Sequence, residues 1–266
     1  ALVSAQSLAN TRIGARNNSD SANGGAVEVT NTADLVSSGD ASAALTVQSI
    51  GGGGGVISSA SGGLLLGGFN LTGNASGGSV SVSNSGSVLT LGDVSSAMLV
   101  QSIGGGGGSV ADSDSGDVRL GGNVGNGEGS LSAGDVSVNN RGQAIETRGD
   151  GAFALIAQTI GGGGGYLGSS TRTTQLGGVD LSNTQAGNVS VTNSSTISTS
   201  GNAATVLLAQ SIGGGGGVVS LTDGNTLTLG GERLENARAG DVTVNNSGDL
   251  SSTGITASLL TVQSIG

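Results

Sequence analysis

Short alternations of apolar and polar residues recur along the chain. Pairs of valines separated by one polar residue occur at Val27/Val29, Val80/Val82, Val136/Val138, Val189/Val191 and Val242/Val244. A period of two is typical of β-strands with one buried face. Between these pairs lie small polar pieces such as "NSG" and "SGD", which favour tight turns because Asn and Gly tolerate positive φ. The pattern predicts many short strands joined by turns.

The alternation belongs to a longer repeat of about 53 residues. An anchor Gln, followed by Ser or Thr and then Ile, recurs in steps of 53, 57, 52 and 53 residues. An Asn and then a lone aliphatic residue follow each valine pair, and "LGG" closes four of the units. The anchors are Gln48, Gln101, Gln158, Gln210 and Gln263; the Asn residues are Asn31, Asn84, Asn140, Asn193 and Asn246.

These landmarks divide the chain into units at about residues 23–74, 75–132, 133–185, 186–238 and 239–266. We interpret residues 1–22 as a degenerate or shortened first repeat, because "AQSLANTRIGARNN" contains Gln6-Ser7-Leu8 without a glycine run. The chain starts and stops within a unit, so we expect it to be a window of a longer array.

No single unit can bury its apolar faces alone, and stacking of successive units solves that problem. We therefore predict an all-β fold, a parallel β-solenoid. We expect two rungs of about 26 residues per repeat, advancing by the strand spacing of roughly 4.8 Å, with three shorter rungs as the alternative. Segments such as "AFALIAQTI" fit a strand or two helical turns; recurring β-branched residues and the lack of a capping signal favour the strand.

Each complete anchor is followed by five glycines, in runs that begin at Gly51, Gly104, Gly161 and Gly213. Ordering such a run costs on the order of 5–10 kcal/mol, so flexible loops are one interpretation. The constant length of the runs favours ordered structure, because the gap after "LGG" varies in both length and text. We predict corners with positive φ or close packing of the polyglycine-II kind, stacked into a smooth stripe. That stripe would face either the interior or a second copy.

Stacked Asn or Gln side chains can form hydrogen-bonded ladders between rungs. With two rungs per repeat, however, the anchor Gln residues would lie about 10 Å apart and could not bond one another. We therefore expect them to hold the turn beside the glycines. A structural role for the anchors is favoured over ligand binding.

Composition narrows the function classes. The net charge is −10, 55 residues are Gly, 1% are aromatic, and the chain has no Pro, Cys, His, Trp or Lys. High Gly content could indicate disorder, but the apolar residues are too regularly spaced for that reading. The acidic balance argues against nucleic-acid binding. No apolar run is long enough for a transmembrane helix. The glycine runs lack the Lys of a phosphate-binding loop.

Candidate chemistry is sparse. Without His, Cys or Lys, most nucleophile–base pairs are missing, and we predict no catalytic residue and no cofactor. The stretch "DSDSGD" offers a weak calcium site at Asp112, Asp114 and Asp117, which resembles half an EF-hand loop but lacks its closing Glu. A solvated acidic loop is the alternative.

"NVSVTNSSTISTSGNAATVLLAQSIGGGGG" and "VTVNNSGDLSSTG" resemble the repeated passenger region of large autotransporter-type (type V secreted) proteins of Gram-negative bacteria. The resemblance covers residues 23–266. It implies a parallel β-solenoid, exported through an outer-membrane barrel to the cell surface or medium, with a role in adhesion, aggregation, biofilm or surface structure. Self-association along or beside the rod would follow.

Two other classes remain open. One is a ligand-binding adhesin tip with a polyglycine-II core, similar to some phage tail-fibre adhesins, in which the variable loops at residues 123–132, 180–185 and 232–238 would bind. The other is a β-helical polysaccharide-active enzyme working with Asp and Arg.

Overall fold

The computed structural model describes residues 2–3, 11–14, 21–71, 73–114, 116–124, 130–222 and 226–266. Within these ranges every regular element is a β-strand and every strand pair is parallel. The described residues include no helix, and hence none that is long and apolar enough to cross a membrane. The all-β parallel solenoid predicted from the alternation is confirmed.

The strands follow one another in the same order in each repeat, and we number the repeats as coils 1 to 5. Residues 1–22 contain β1 (Leu2–Val3) and β2 (Thr11–Ile13). Coil 1 contains β3 (Val27–Asn31), β4 (Leu35–Ser37), β5 (Leu45–Ile50), β6 (Gly54–Ala60), β7 (Leu64–Leu66) and β8 (Phe69–Leu71). Coil 2 contains β9 (Val80–Asn84), β10 (Val88–Thr90), β11 (Met98–Ile103), β12 (Gly107–Ser113), β13 (Val118–Leu120), β14 (Asn123–Val124) and β15 (Leu131–Ser132).

The later coils repeat this order. Coil 3 contains β16 (Val136–Asn140), β17 (Ile145–Thr147), β18 (Leu155–Ile160), β19 (Gly164–Ser170), β20 (Thr174–Leu176) and β21 (Thr184–Gln185). Coil 4 contains β22 (Val189–Asn193), β23 (Ile197–Thr199), β24 (Leu207–Ile212), β25 (Gly216–Thr222) and β26 (Leu227–Leu229). Coil 5 begins with β27 (Val242–Asn246), β28 (Leu250–Ser252) and β29 (Leu260–Ile265).

Equivalent strands of successive coils form five long sheets. Sheet 1 holds the valine-pair strands, sheet 2 the lone aliphatics, sheet 3 the anchors, sheet 4 the strands that start in the glycine runs, and sheet 5 the "LGG" strands. In order, they are β3-β9-β16-β22-β27, β4-β10-β17-β23-β28, β5-β11-β18-β24-β29, β1-β6-β12-β19-β25 and β2-β7-β13-β20-β26. Two short sheets, β8-β14 and β15-β21, complete the coil.

Each repeat makes one coil, not two. Val80 pairs with Val27 on one side and with Val136 on the other, so a full repeat separates neighbouring strands in every ladder. The prediction of two rungs of about 26 residues was therefore wrong. One repeat advances the solenoid by a single strand spacing of roughly 4.8 Å.

The two strands described within residues 1–22 pair with strands of coil 1. Gln6-Ser7-Leu8 lies outside the described residues, but Leu2 pairs with Val56 and Thr11 pairs with Leu64. β1 and β2 therefore lie beside the part of coil 1 that follows the glycine run.

Sheet 3 divides the interior of the solenoid into two compartments. On one side sheets 1, 2 and 3 enclose a column of valines, leucines and alanines; on the other, sheets 4 and 5 enclose a second column. Every residue of β11, β18 and β24 is buried as a result. Burial on both faces gives a strand a nearly continuous apolar sequence. This explains why the segments before the anchors could also be read as helical.

Candidate functional site

The glycine runs are ordered and turn the chain from sheet 3 into sheet 4. In the run of residues 104–108, φ reaches 74° at Gly105, 90° at Gly106 and 136° at Gly107. Side chains rarely adopt such values, so the run exploits the conformational range that glycine alone has. The last two glycines of each run already belong to the sheet 4 ladder, where Gly107 pairs with Gly54 and Gly164. The runs thus join a β-ladder and do not form a separate polyglycine-II layer.

The stacked runs form a stripe, and that stripe faces the interior. A Cβ built on Gly106 would lie 2.6 Å from the Cα of Gly67, in the "LGG" of the preceding coil. The amide of Gly178 donates to the carbonyl of Gly162 at 2.9 Å, which joins the "LGG" of coil 3 to its own glycine run. Two glycine-rich segments therefore pack backbone against backbone. Of the two alternatives, a stripe facing the interior and a docking surface for a second copy, these contacts support the stripe facing the interior.

The anchor Gln residues form one continuous ladder. The Nε2 of Gln48 donates to the Oε1 of Gln101 at 2.6 Å, Gln101 donates to Gln158 at 2.6 Å, and Gln158 donates to Gln210 at 2.7 Å. Gln210 in turn donates to Gln263. The prediction that the anchors lie about 10 Å apart was wrong, because it rested on two rungs per repeat. The side chains of Gln101 and Gln158 are fully buried, so the ladder satisfies amides that have no access to water.

Asn residues form a second ladder at the end of sheet 1. Asn84 Nδ2 donates to Asn140 Oδ1 at 2.8 Å and also to the carbonyl of Gly86 at 2.9 Å. Asn140 donates to Asn193 at 2.7 Å. Both amide hydrogens of Asn84 are therefore used, one along the stack and one to hold its own turn. Asn31 and Asn246 extend this ladder at its two ends.

A third column lies on the exposed turn between sheets 2 and 3. The carboxylate of Asp40 accepts the backbone N–H of Asp93 at 2.9 Å, and that of Asp93 accepts the N–H of Asp150 at 2.8 Å. Asp150 accepts from Asn202 at 2.7 Å, and Asn202 accepts from Ile255 at 3.1 Å. These acidic side chains connect consecutive coils, a role that their sequence context did not indicate.

The acidic cluster does not assemble a metal site. Asp112 lies within β12, whereas Asp114 and Asp117 lie in the turn that follows. Across the described ranges no group of three or more His, Cys, Asp or Glu side chains is placed to hold a metal ion. The geometry therefore does not support the calcium interpretation of these three residues.

The variable loops of coils 3 and 4 stack on each other. Arg233 forms a bidentate ion pair with Asp180, in which Nε lies 2.5 Å from Oδ1 and Nη2 lies 2.7 Å from Oδ2. Asn236 donates to Asn183 at 3.2 Å. Isolated bridges join Ser182 to Glu235 and Gln185 to Arg238. In coil 2, residues 125–129 of the corresponding loop lie outside the described residues. The described loops thus continue the stacked architecture and present a polar surface.

An aromatic pair packs among aliphatic side chains between sheets 3 and 4. Phe153 and Tyr166 lie edge to face with ring centroids 6.3 Å apart, between the sheet 2–sheet 3 turn and sheet 4. Ser96 donates to the Tyr166 hydroxyl at 3.2 Å. Burial raises the pKa of Tyr166 to about 12, and the hydrogen bonds with Ser96 and Ser220 oppose the shift only in part. The sequence analysis noted these rings as scarce but did not bring them together.

Comparisons of the chain with protein-family models, with curated proteins and with solved structures each find no match.

Proposed function

We propose that the chain is a structural and adhesive rod segment of an extracellular bacterial surface protein, without catalysis of its own. The observation that carries this proposal is the uniform stacking of whole repeats. Backbone ladders in five sheets and amide ladders in the interior run unbroken through the coils. Such an array is quasi-one-dimensional, and each added repeat lengthens it without requiring a new core.

The side chains that connect the coils support a mechanical role. Gln, Asn and Asp side chains each bond their counterpart or a backbone group in the next coil. A force along the axis is therefore shared among many parallel hydrogen bonds. Because the sequence resembles the repeats of autotransporter passenger regions, the proposal includes export to the cell surface. There the exposed polar loops would contact other surfaces.

The test uses chains of graded length. Duplicating residues 133–185 once, twice and three times should lengthen the particle by roughly 4.8 Å per copy in small-angle scattering, at constant cross-section. Beads coated with the longest form should cluster or bind cells more than beads coated with an equal mass of the shortest form. Particles that grow in all dimensions would overturn the rod, and no length-dependent clustering or binding would overturn the adhesive role.

A further inference from the structure

A cavity of about 510 Å³ lies between the sheet 2–sheet 3 turns of coils 1 and 2 and sheet 4. We call it the ring pocket. Tyr166 of coil 3 forms one wall, and the remaining lining comes from small and aliphatic residues, among them Ala43, Ser96, Val56 and Ser109. Its volume lies within the usual range of ligand-binding pockets, roughly 300–1,000 Å³.

The ring pocket exists because successive coils carry side chains of different size at the same two positions. In coil 3 these positions hold Phe153 and Tyr166, whose rings fill the space. The ladder register aligns Tyr166 with Ser109 in coil 2 and with Val56 in coil 1. By the same register, Phe153 aligns with Ser96 in coil 2 and with Ala43 in coil 1. The coils keep the same strand spacing, so part of the ring volume is left open. The accessible lining lies in coil 1, where Ala43 is exposed and Val56 is half-buried, and the floor is formed by the buried Ser96, Ser109 and Tyr166.

A strained residue lines the same space. Val94 has a φ of 48°, and for a β-branched residue this is a true outlier. The equivalent turn position has positive φ in every coil, at Ala41, Val94, Gly151, Ala203 and Thr256, so this conformation belongs to the turn of the repeat. Val94 presents its carbonyl 3.5 Å from the Tyr166 hydroxyl, at the inner end of the pocket.

The lining defines the chemistry of an occupant. No charged residue contributes to it, while hydroxyl groups of Ser42, Thr46, Ser58 and Ser109 belong to residues distributed around it. An ionised ligand would lose its hydration without gaining a partner charge. A flat apolar ring with one hydroxyl group matches both the space that a Phe or Tyr ring occupies one coil further on and the polar groups at its rim.

We propose that the ring pocket binds a neutral aromatic ring bearing a hydroxyl group, a ligand of the phenol class. The ring would lie beside Ala43 in coil 1, at the position that Phe153 occupies in coil 3, with the buried Tyr166 in the floor of the pocket. This binding site is independent of the rod function, since a rod needs no cavity. Failure of one proposal therefore leaves the other standing.

The chain offers a single-residue probe, because Tyr166 is its only tyrosine. Protein labelled with 3-fluorotyrosine gives one fluorine resonance, which can be followed during titration with p-cresol. We expect a saturable shift and a heat of binding by calorimetry. Toluene tests the need for the hydroxyl group and glucose tests the need for the aromatic ring; both should bind at least about tenfold more weakly than p-cresol.

Filling variants test the location. Ser109→Phe should restore the ring volume and weaken p-cresol binding by at least about tenfold. Ala43→Phe places a ring at the exposed rim, where folding is least affected, and should have the same effect. Ser190→Phe, on the exposed face of sheet 1, is the matched control and should bind p-cresol like the original chain. Absence of a saturable shift, undiminished binding by both filling variants, or equal binding of glucose or toluene would overturn the proposal.

Discussion

Replacing Gly107 with alanine tests directly whether the glycine runs are packed parts of the fold. The new Cβ would lie 1.9 Å from the carbonyl oxygen of Gly164 in the next coil, and the backbone there has φ of 136°. Holding an L-residue in such a region costs about 1–3 kcal/mol. Relief of the clash would require the coils to separate locally, which weakens ladder hydrogen bonds worth about 1 kcal/mol each. We therefore expect a loss of about 4 kcal/mol or more in the free energy of unfolding.

Two control variants separate the sources of this loss. Gly230→Ala has φ of 115° but no atom within 4 Å of the new Cβ, so we expect only the backbone strain, about 1–2 kcal/mol. Gly25→Ala has neither strain nor a neighbour, and we expect a change below about 1 kcal/mol. Urea unfolding followed by circular dichroism and by Tyr166 fluorescence measures all three. A Gly107→Ala protein that unfolds at the same urea concentration as Gly25→Ala would refute the packed arrangement.

Three further predictions concern the ladders and the buried ring. Gln158→Leu removes one hydrogen-bond partner from each of the buried amides of Gln101 and Gln210, so urea unfolding should show a loss of about 2–4 kcal/mol in the free energy of unfolding. An unchanged free energy of unfolding would mean that the ladder does not contribute to stability. Asp93→Asn should be as stable as the original chain, because an Asn fills the same place in coil 4, whereas Asp93→Ala should lose about 1 kcal/mol in the same assay. The pKa of Tyr166 is raised to about 12 from 10.0, so its contribution to stability is complete below pH 10 and is lost as the pH rises toward 12. Absorbance at the tyrosinate band should therefore titrate near pH 12 in the folded protein and near 10 in urea; a midpoint near 10 in both would contradict the burial.

The alternation of apolar residues was enough to predict the strands and their stacking. Val27 and Val29 carry the period of two, and the equivalent pairs recur at one place in each coil. Alternation specifies which face of a strand is buried, but it does not specify which strand lies beside it. The number of rungs per repeat therefore had to come from the pairing of Val27 with Val80. The Gln ladder was missed for the same reason.

Other features depend on where the backbone turns. The strands that contain Leu2 and Thr11, for example, pair with the part of coil 1 that follows its glycine run. The ring pocket arises because equivalent positions of successive coils carry side chains of different size, as where Ser109 of coil 2 pairs with Tyr166 of coil 3. Only the register makes such a difference visible, since the two residues lie far apart in the sequence.

Hydrogen exchange of the glycine amides, followed by nuclear magnetic resonance, tests most directly whether the runs are fixed parts of a stacked fold. The amide of Gly104 donates to Ile160 at 2.8 Å, and that of Gly161 donates to Ile212 at 2.8 Å. The amide of Gly164 donates to Gly106 at 3.2 Å. These amides should exchange as slowly as those of Gln101 and Gln158 in the interior of sheet 3. Exchange at the rate of an unstructured peptide, with sheet 3 still protected, would show that the runs are mobile tethers and would contradict the account.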